Sequence, residues 1–353
     1  YLPIGNLIQR GLSVMGGATI LEKNWAIEYV LLSILISFIG SITALMLTEQ
    51  KRWTIELKQG SRIQPFVLSF ISIAFGCCSL WMVHFVGMGA LTLELPSNSE
   101  KIAIYHDGPI TFASSAIVVI FARLGFGLAN RDVYFSLIND TRIQMLKEKI
   151  RNVRLNVIKQ NGSHRVLYYA MFHKTHYIIL GGTLAGLGSF LMHCVGLLAI
   201  RGEVTLIWHA KLLVASGFVD VGLTCVSFWL MFRVLTWRPK KDVVRLITVS
   251  IMTGAASAMH YFGMAGVAFA FPESCESDRL CRQKCMLFCL DNTSAWFVAV
   301  ALAALLCAIM GFSIIRDLRS QYKDVQSGFS REGCEAMQGH FEDEGSSSKE
   351  SEE

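Results

Sequence analysis

Seven apolar stretches dominate the sequence, and each is about as long as a helix that crosses a lipid bilayer. Their approximate positions are 26–48, 64–90, 110–130, 176–199, 209–234, 244–270 and 294–315. A membrane-crossing helix needs about 20 predominantly apolar residues. Charged residues make up only 17% of the 353 residues, which is few for the surface of a soluble protein of this length. The sequence therefore predicts an all-α membrane protein with seven transmembrane helices in a lipid bilayer.

Lysine and arginine are concentrated on one side of these predicted helices. The loops 49–63, 131–175 and 235–243 and the tail after 315 hold 21 of them, against 7 in the remaining loops and the N-terminal segment. Because cytoplasmic loops carry the excess of basic residues, we expect an outer N-terminus and a cytoplasmic C-terminus, in the plasma membrane.

The chain divides into an extracytoplasmic segment (1–25), a membrane domain (26–315) and a cytoplasmic tail (316–353). The basic loop 131–175 is an insertion in the cytoplasmic side of the membrane domain. The tail ends EDEGSSSKESEE, a composition that cannot bury a core and that predicts disorder. The tail contains no recognisable catalytic domain, so we expect a protein that is not an enzyme. We also expect no nucleic-acid partner.

One histidine pattern occurs three times along the chain. The three segments read WMVHFVGM at 81–88, LMHCVGLL at 191–198 and AMHYFGMA at 258–265. Each has glycine three residues after its histidine and lies near the outer end of an even-numbered predicted helix. Such self-similarity is typical of a repeated structural unit. We therefore predict three two-helix repeats followed by a final helix.

The repeated pattern predicts a metal site near the outer face. Ionisable residues inside membrane helices are costly and usually serve a function. Residues four apart share a helix face, so Met88 and Met264 lie on the same side as the histidines before them. Imidazole together with thioether or thiol sulfur favours copper over harder metals. The candidate ligands are His84, Met88, Met192, His193, Cys194, Met259, His260 and Met264. In the alternative interpretation, the histidines hydrogen-bond to neighbouring helices and the glycines only allow close helix packing.

The remaining cysteines and one buried acid give further candidates. Four cysteines in the outer loop 271–292 predict two disulfides or, alternatively, a mouth that captures metal. They are Cys275, Cys281, Cys285 and Cys289. Cys225 and Cys307 fall within helices and are expected to be packing residues. Asp220 is a secondary functional candidate, with Arg123 as a candidate partner.

The three segments, above all SAMHYFGMAGV at 257–267, resemble the MHYT domain over about residues 25–315. The resemblance implies a seven-span membrane sensor that binds copper through motif methionines and histidines. It also implies detection of oxygen, carbon monoxide or nitric oxide. In this sequence the matching ligand candidates are His84, Met88, Met192, His193, Met259, His260 and Met264.

The sequence departs from the family pattern at several positions. The motif tyrosine is present only as Tyr261, whereas Phe85 and Cys194 stand in its place in the other two segments. The motif threonine is absent, and Leu197 replaces a methionine. The long inserted loop and the lack of an output enzyme domain resemble the fungal members of the family.

Three functions remain open at this point. The first is a sensor that reports a gas or a redox change at copper to an unknown cytoplasmic signalling partner. The second is a haem-binding or electron-transfer membrane protein with histidine axial ligands. The third is a metal transporter, since repeated helix units are common among transporters.

Overall fold

The computed structural model describes most of the predicted membrane domain. The described residues are 18–57, 65–132, 134–135, 144, 168, 170–237, 242–272, 287–291, 297, 299–312, 315–316 and 319. By its contacts the chain divides into two units, 1–307 and 308–353. The following description concerns the first unit. The helix Ala299–Phe312 begins in the first unit and ends in the second.

Six helical segments of the described chain are long and apolar enough to cross a membrane. They are Ile27–Arg52, Phe66–Gly89, Gly108–Ala129, His176–Leu198, Ala210–Trp237 and Asp242–Ala265. Multiple apolar helices of this length confirm an integral membrane protein that contacts lipid. A shorter apolar helix, Ala299–Phe312, lies within the seventh predicted stretch. The number of seven spans stays a prediction.

Two of these segments contain π-helical turns. The helices are α1 (Ile27–Leu57), α2 (Pro65–Ile73), α3 (Met82–Gly89), α4 (Gly108–Ala129), α5 (His176–Leu198), α6 (Ala210–Trp229), α7 (Leu235–Trp237), α8 (Asp242–Ala265) and α9 (Ala299–Phe312). A π-helical segment, Ala74–Trp81, joins α2 to α3, and a second, Leu230–Val234, joins α6 to α7. Such widened turns often occur at functional sites.

The fold is mostly helical, as predicted, but short strands that the sequence analysis did not predict connect the helices. The strands are β1 (Ala18–Ile20), β2 (Glu22–Trp25), β3 (Leu91–Glu94), β4 (Lys101–Ile102), β5 (Tyr105–Asp107), β6 (Ile200–Arg201), β7 (Thr205–Trp208), β8 (Val267–Pro272) and β9 (Cys289–Asp291). They form three antiparallel sheets with the orders β1-β8-β7, β2-β3-β4 and β6-β5-β9. In β3 the burial alternates, with Leu91 and Leu93 inside and Thr92 outside, as expected for a sheet with one buried face.

All strands lie in the segments at one end of the six long helices, which we call the strand-covered end. The helix α8 ends at Ala265, and the residues from Val267 onward form β8 instead of continuing the apolar helix predicted over 244–270. The same kind of hydrogen bond occurs three times at this end. In each case the backbone amide just before one helix donates to the backbone carbonyl just after a later helix. The pairs are Ala26 to Ala90 (2.9 Å), Asp107 to Ala199 (2.7 Å) and His209 to Gly266 (2.8 Å).

Close helix packing positions α4 and α5. A methyl group on Gly125 would lie 2.5 Å from the carbonyl oxygen of Gly181, and one on Gly181 would lie 2.5 Å from that of Gly125. Only glycine allows such an approach of two backbones, as is common at membrane helix interfaces. The helix α5, which carries one of the motif histidines, is therefore fixed directly against α4.

A buried ion pair lies at the opposite end of the same helices. Arg233 donates to the carboxylate of Asp132 at 2.5 Å and to the carbonyl of Ala170 at 2.8 Å. Its guanidinium also stacks 4.6 Å from the ring centroid of Tyr134. Asp132 follows α4, and Ala170 precedes α5. The pair therefore holds together the two ends of the inserted loop, most of which lies outside the described residues.

Candidate metal centre

Three histidines meet in the interior near the strand-covered end. His84 lies in α3, His193 in α5 and His260 in α8, and each is only 1% exposed. The Nδ1 atom of His84 lies 3.1 Å from the Nδ1 atoms of the other two rings. One ring nitrogen from each histidine lies within 4.8 Å of the others. The structure therefore brings the predicted histidines together at one depth.

The glycine three residues after each histidine makes room for a different histidine. A methyl group at any of these glycines would collide with the Nε2 atom of the ring that faces it. The rings meet nearly at right angles, with centroids 5.0 to 5.6 Å apart. The glycine–histidine pairs are Gly87 with His260, Gly196 with His84, and Gly263 with His193. The contacts therefore form a closed ring around the three helices, and each glycine orients a ring so that Nδ1 points to the centre.

The outward-facing Nε2 atoms are buried against the glycine backbones. None of the three has a hydrogen-bond partner among the residues that the structure describes. Buried polar atoms normally have a partner, and exceptions need an explanation. A neutral imidazole carries one N–H, so a proton on Nε2 leaves the lone pair of Nδ1 free. With all three protons on Nε2, the Nδ1 lone pairs form a ligand set for a cation. With a proton on Nδ1 instead, the 3.1 Å contacts are hydrogen bonds between the rings.

The nitrogen separations fit a single metal ion. Metal–nitrogen bonds of about 2.0 Å place two imidazole nitrogens about 3.3 Å apart in tetrahedral geometry and about 3.5 Å apart in trigonal geometry. The observed separations from His84 are 3.1 Å. A shift of a few tenths of an ångström would complete the fit. No acidic side chain belongs to this group of donors among the described residues, so the site is built from neutral nitrogen ligands.

The predicted sulfur ligands surround the histidines but differ in their placement. Met192 and Met259 precede their histidines and are buried. Met88 and Met264 are fully buried in an apolar cluster formed by helix ends and strand residues next to the histidines. Leu197 occupies the equivalent position of the second motif in the same cluster. The cluster consists of Leu21, Met88, Leu91, Leu93, Ile104, Leu197, Ile200, Val204, Met264, Val267 and Phe269.

Cys194 lies outside the central group of donors. The group of close nitrogen, sulfur and carboxylate ligand atoms in the described chain contains only the three histidines. Neighbouring helical residues point about 100° apart, so Cys194 turns away when His193 faces the centre. Its thiol is only partly buried.

One histidine near the cluster escaped the sequence analysis. His106 on β5 is fully buried, and its ring centroid lies 5.5 Å from that of Phe85. The ring of Phe85 lies 4.8 Å from that of His84. Phe85 thus stands next to both histidines. The strand β5 contains no part of the repeated pattern. In the sequence, only its position directly before the proline-containing start of α4 could have drawn attention to His106.

Tyr261, which keeps the motif tyrosine, links the third motif to the first helix. Its hydroxyl hydrogen-bonds to that of Ser33 at 2.8 Å, and its ring lies 4.7 Å from that of His260. The indole of Trp25 packs edge-on against the same ring at 5.6 Å. A side chain next to the metal-site candidate is therefore held by both α1 and the strands.

Asp220 and Arg123 have different neighbours. The carboxylate of Asp220 accepts a hydrogen bond from Thr224 at 3.4 Å and contacts the hydroxyl of Ser189. The guanidinium of Arg123 donates to Ser69 at 2.8 Å. Ser189 precedes His193 by one helical turn, so Asp220 lies just deeper than the histidine cluster.

The predicted disulfide loop is only partly described. Cys289 is disulfide-bonded. The other three candidates, Cys275, Cys281 and Cys285, lie outside the described residues. The free cysteines of the described chain are Cys77, Cys78, Cys194, Cys225 and Cys307.

Comparison with known proteins agrees with the motif. Residues 78–134 match the family model MHYT, described as a bacterial signalling protein N-terminal repeat. The signaling protein YkoW of Bacillus subtilis (strain 168) is 32% identical over 94 residues, which are 26% of this chain and 11% of that protein. The chain therefore covers about a tenth of that relative. No solved structure matches. The matched segment contains His84, Gly87 and Met88, so the chain is similar to the MHYT family over the first of its three motifs.

Proposed function

We propose that this chain is a membrane sensor whose three-histidine centre binds copper and detects a diatomic gas or a redox change. The convergence of three buried Nδ1 atoms carries this proposal. The likeness to a signalling family supports the sensory role.

The surroundings favour copper in its monovalent state. Imidazole suits copper, zinc and iron, whereas methionine sulfur selects Cu(I). Four buried methionines flank the histidines at fixed offsets, and no carboxylate of the described residues joins them. A metal ion of low charge is less costly to bury without counter-ions than a divalent one. A copper ion held by three nitrogens would supply an open coordination position for oxygen, carbon monoxide or nitric oxide.

The sealed surroundings favour a small neutral ligand. The apolar cluster covers the histidines on the strand side, and every member is at most 6% exposed. An ion or a polar metabolite would lose its hydration on that route, whereas a diatomic gas is soluble in apolar surroundings. The burial of the centre thus agrees with a gas sensor more readily than with a transporter that must pass ions in quantity.

The equivalent positions of the three motifs support an organisation in two-helix repeats. The carbonyl groups of Ala90, Ala199 and Gly266 each lie six residues after a motif histidine, and each accepts the helix-connecting hydrogen bond. Residues four and seven positions after each histidine belong to the one apolar cluster. A threefold arrangement of this kind fits three repeats and a final helix, and hence seven spans. The excess of lysine and arginine in one set of loops supports an outer N-terminus.

Output would pass to the cytoplasmic side. The histidines lie on α3, α5 and α8, so a ligand that changes their spacing changes the packing of three helices at once. At the other end, Arg233 and Asp132 bind α6 and α4 to the ends of the inserted loop. We propose this loop and the tail as the surfaces that contact a signalling partner.

Haem binding, the second candidate, fits the geometry less well. A porphyrin iron with two histidine ligands needs their nitrogens about 4 Å apart, with the macrocycle between them. The nitrogens here are 3.1 Å apart and the rings contact each other edge to face. A porphyrin could enter only if the three helices separated.

The test is metal analysis of the purified protein beside a variant with His84→Ala, His193→Ala and His260→Ala. We expect about one copper ion per chain in the protein and about none in the variant. His209→Ala is the matched control, because His209 directly precedes α6, outside the cluster, and its replacement should leave the copper content unchanged. An infrared band of carbon monoxide bound to the reduced protein should disappear with the same triple substitution. Equal copper in both proteins would reject the centre, and a Soret band would favour haem.

A further inference from the structure

Three aspartates of the described chain are fully buried, and one of them has no basic partner there. Asp132 is paired with Arg233. Asp107 lies 3.3 Å from the guanidinium of Arg201. Asp220, in the middle of α6, forms no ion pair with a lysine, arginine or histidine of the described residues. Buried charges are normally paired or bound to metal ions, because an isolated charge in apolar surroundings is costly. The carboxyl group of Asp220 is therefore either neutral or balanced by something other than a basic side chain.

The hydrogen bonds of Asp220 leave one of its two carboxyl oxygens unused. Thr224 donates to Oδ1 at 3.4 Å. The Oδ2 atom is buried and has no hydrogen-bond partner among the residues that the structure describes. If Oδ2 carried a proton, its O–H would need an acceptor, and if it carried none, it would need a donor. The described chain supplies neither, so a bound cation accounts for this oxygen better than a proton does.

The hydroxyl of Thr224 is directed at the carboxyl group instead of at the helix backbone. Serine and threonine hydroxyls within helices can donate to the carbonyl four residues earlier. Thr48, Thr236 and Thr248 do so at 2.7 to 2.8 Å. Thr224 donates to the side chain of the residue four positions earlier, which is Asp220. Its oxygen therefore lies beside the carboxyl group, with lone pairs that a cation can bind.

Close packing of α5 against α6 brings a second hydroxyl to the same place. A methyl group on Gly186 would lie 2.8 Å from the Cα atom of Val221, and one on Gly217 would lie 2.9 Å from the ring of Phe190. These two contacts place Ser189 of α5 opposite the turn of α6 that holds the aspartate. Ser189 is 1% exposed, and its hydroxyl contacts the carboxyl group. One carboxyl group and two hydroxyls thus meet between the two helices.

We propose that Asp220, Thr224 and Ser189 form a site for a hard monovalent cation of the Na⁺ class inside the membrane. Carboxylate and hydroxyl oxygens suit hard cations, whereas copper prefers nitrogen and sulfur. One carboxylate balances a single positive charge. The other two fully buried aspartates of the described chain stand before and after α4, at the ends of the helices, so they do not add charge for a divalent ion.

The oxygen site is separate from the histidine centre and does not rest on copper binding there. No side chain belongs to both sites, and the group of close histidine, cysteine and acidic donors in the described chain contains the histidines without Asp220. Ser189 lies one helical turn before His193 on α5. A cation that joins α5 to α6 would therefore stabilise the helix that carries this histidine.

Thermal unfolding of the purified full chain in NaCl and in choline chloride of equal ionic strength tests the proposal. We expect Na⁺ to raise the melting temperature by about 2–4 °C. Asp220→Asn should abolish this rise, and Thr224→Val should reduce it, because they remove the charge and one hydroxyl ligand. Ser216→Ala is the matched control and should keep the rise, because this hydroxyl, one turn before Asp220, donates to the carbonyl of Leu213. Equal melting temperatures of the unsubstituted protein in the two salts would overturn the proposal.

Binding of radioactive sodium gives an answer that does not depend on how the Asp220→Asn variant folds. The unsubstituted protein should bind about one ion per chain, displaced by NaCl but not by choline chloride, and Ser189→Ala should weaken the binding. The triple histidine variant should keep its sodium even when it binds no copper, which separates this site from the copper centre. No bound sodium would overturn the proposal. So would acid in choline chloride that stabilises the protein as much as Na⁺ does, because the carboxyl group would then be neutral.

Discussion

The two ends of the helix bundle bury polar side chains in opposite ways. At the end without strands, Arg233 and Asp132 are fully buried, and each bonds to the other and to backbone groups. At the strand-covered end, three histidines are equally buried, yet their Nε2 atoms have no partner in the described chain and their Nδ1 atoms face one another. A partnered ion pair fixes a structure, whereas a cluster of ring nitrogens that face one another keeps the capacity to bind a ligand.

Removal of one member of the ion pair should give the largest effect. Asp132→Ala leaves the guanidinium of Arg233 buried without its carboxylate, and such a change costs about 3–5 kcal/mol of unfolding free energy. Denaturant unfolding in detergent measures it. The control is Arg245→Gln, which breaks a partly exposed pair with Glu49 and should cost less than about 1 kcal/mol. Similar losses in the two variants would show that the buried pair is not a structural anchor.

A methyl group added to a motif glycine tests the histidine cluster at the strand-covered end. Gly87→Ala would collide with Nε2 of His260, and overpacking of this kind costs about 1–3 kcal/mol. The displaced ring should also lower the copper content. Gly222→Ala is the matched control in α6, because no atom lies within 4 Å of the added methyl group. Normal copper binding by the Gly87 variant would contradict the role of this glycine in orienting the histidine.

These glycines show what the sequence could and could not predict. The three histidines share one register, so helical periodicity and the repeat predicted their meeting. The alternative role for the glycines was close helix packing, but the structure places each against a histidine of another motif. Spacing along one helix cannot say which neighbouring helix a residue faces.

The strands were missed for a related reason. The strand β1 pairs with β8, which joins Ala18 to Pro272. Short strands of two to six residues carry little periodic signal, and β8 continues the apolar composition of the helix before it. Long helices could be predicted because their hydrogen bonds are local. Sheets formed from distant short segments require the helices to be placed first.

A partly buried lysine joins the strands to the metal-site helix. Lys23 on β2 donates to the carbonyls of Met264 and Val267, both at 2.9 Å, at the end of α8. Lys23→Met leaves these carbonyls without their donor, and a loss of about 1–3 kcal/mol is expected. Thermal unfolding monitored by circular dichroism measures the change. An unaltered melting temperature would show that these carbonyls find other partners.

The same lysine should make stability depend on pH. Burial lowers the pKa of the Lys23 ammonium. The folded protein therefore binds fewer protons than the unfolded chain between the lowered pKa and the ordinary value of 10.5, and stability from this group rises with pH over that window. Lys23→Met should flatten this part of the stability profile relative to the unsubstituted protein. A profile with the same slope in both proteins would contradict the burial effect.

Replacement of all three histidines by leucine should give the smallest effect on the metal-free protein. The substitutions remove three buried Nε2 atoms that have no partner among the described residues, and they remove all members of the cluster together. Exchange of a whole polar group for apolar side chains of similar size is close to neutral, within about 1 kcal/mol. Unfolding of the copper-free proteins measures it, and addition of Cu(I) should stabilise only the protein with histidines. A loss as large as that for Asp132→Ala would mean that the histidines, like the ion pair, hold the fold together, and the contrast between the two ends would disappear.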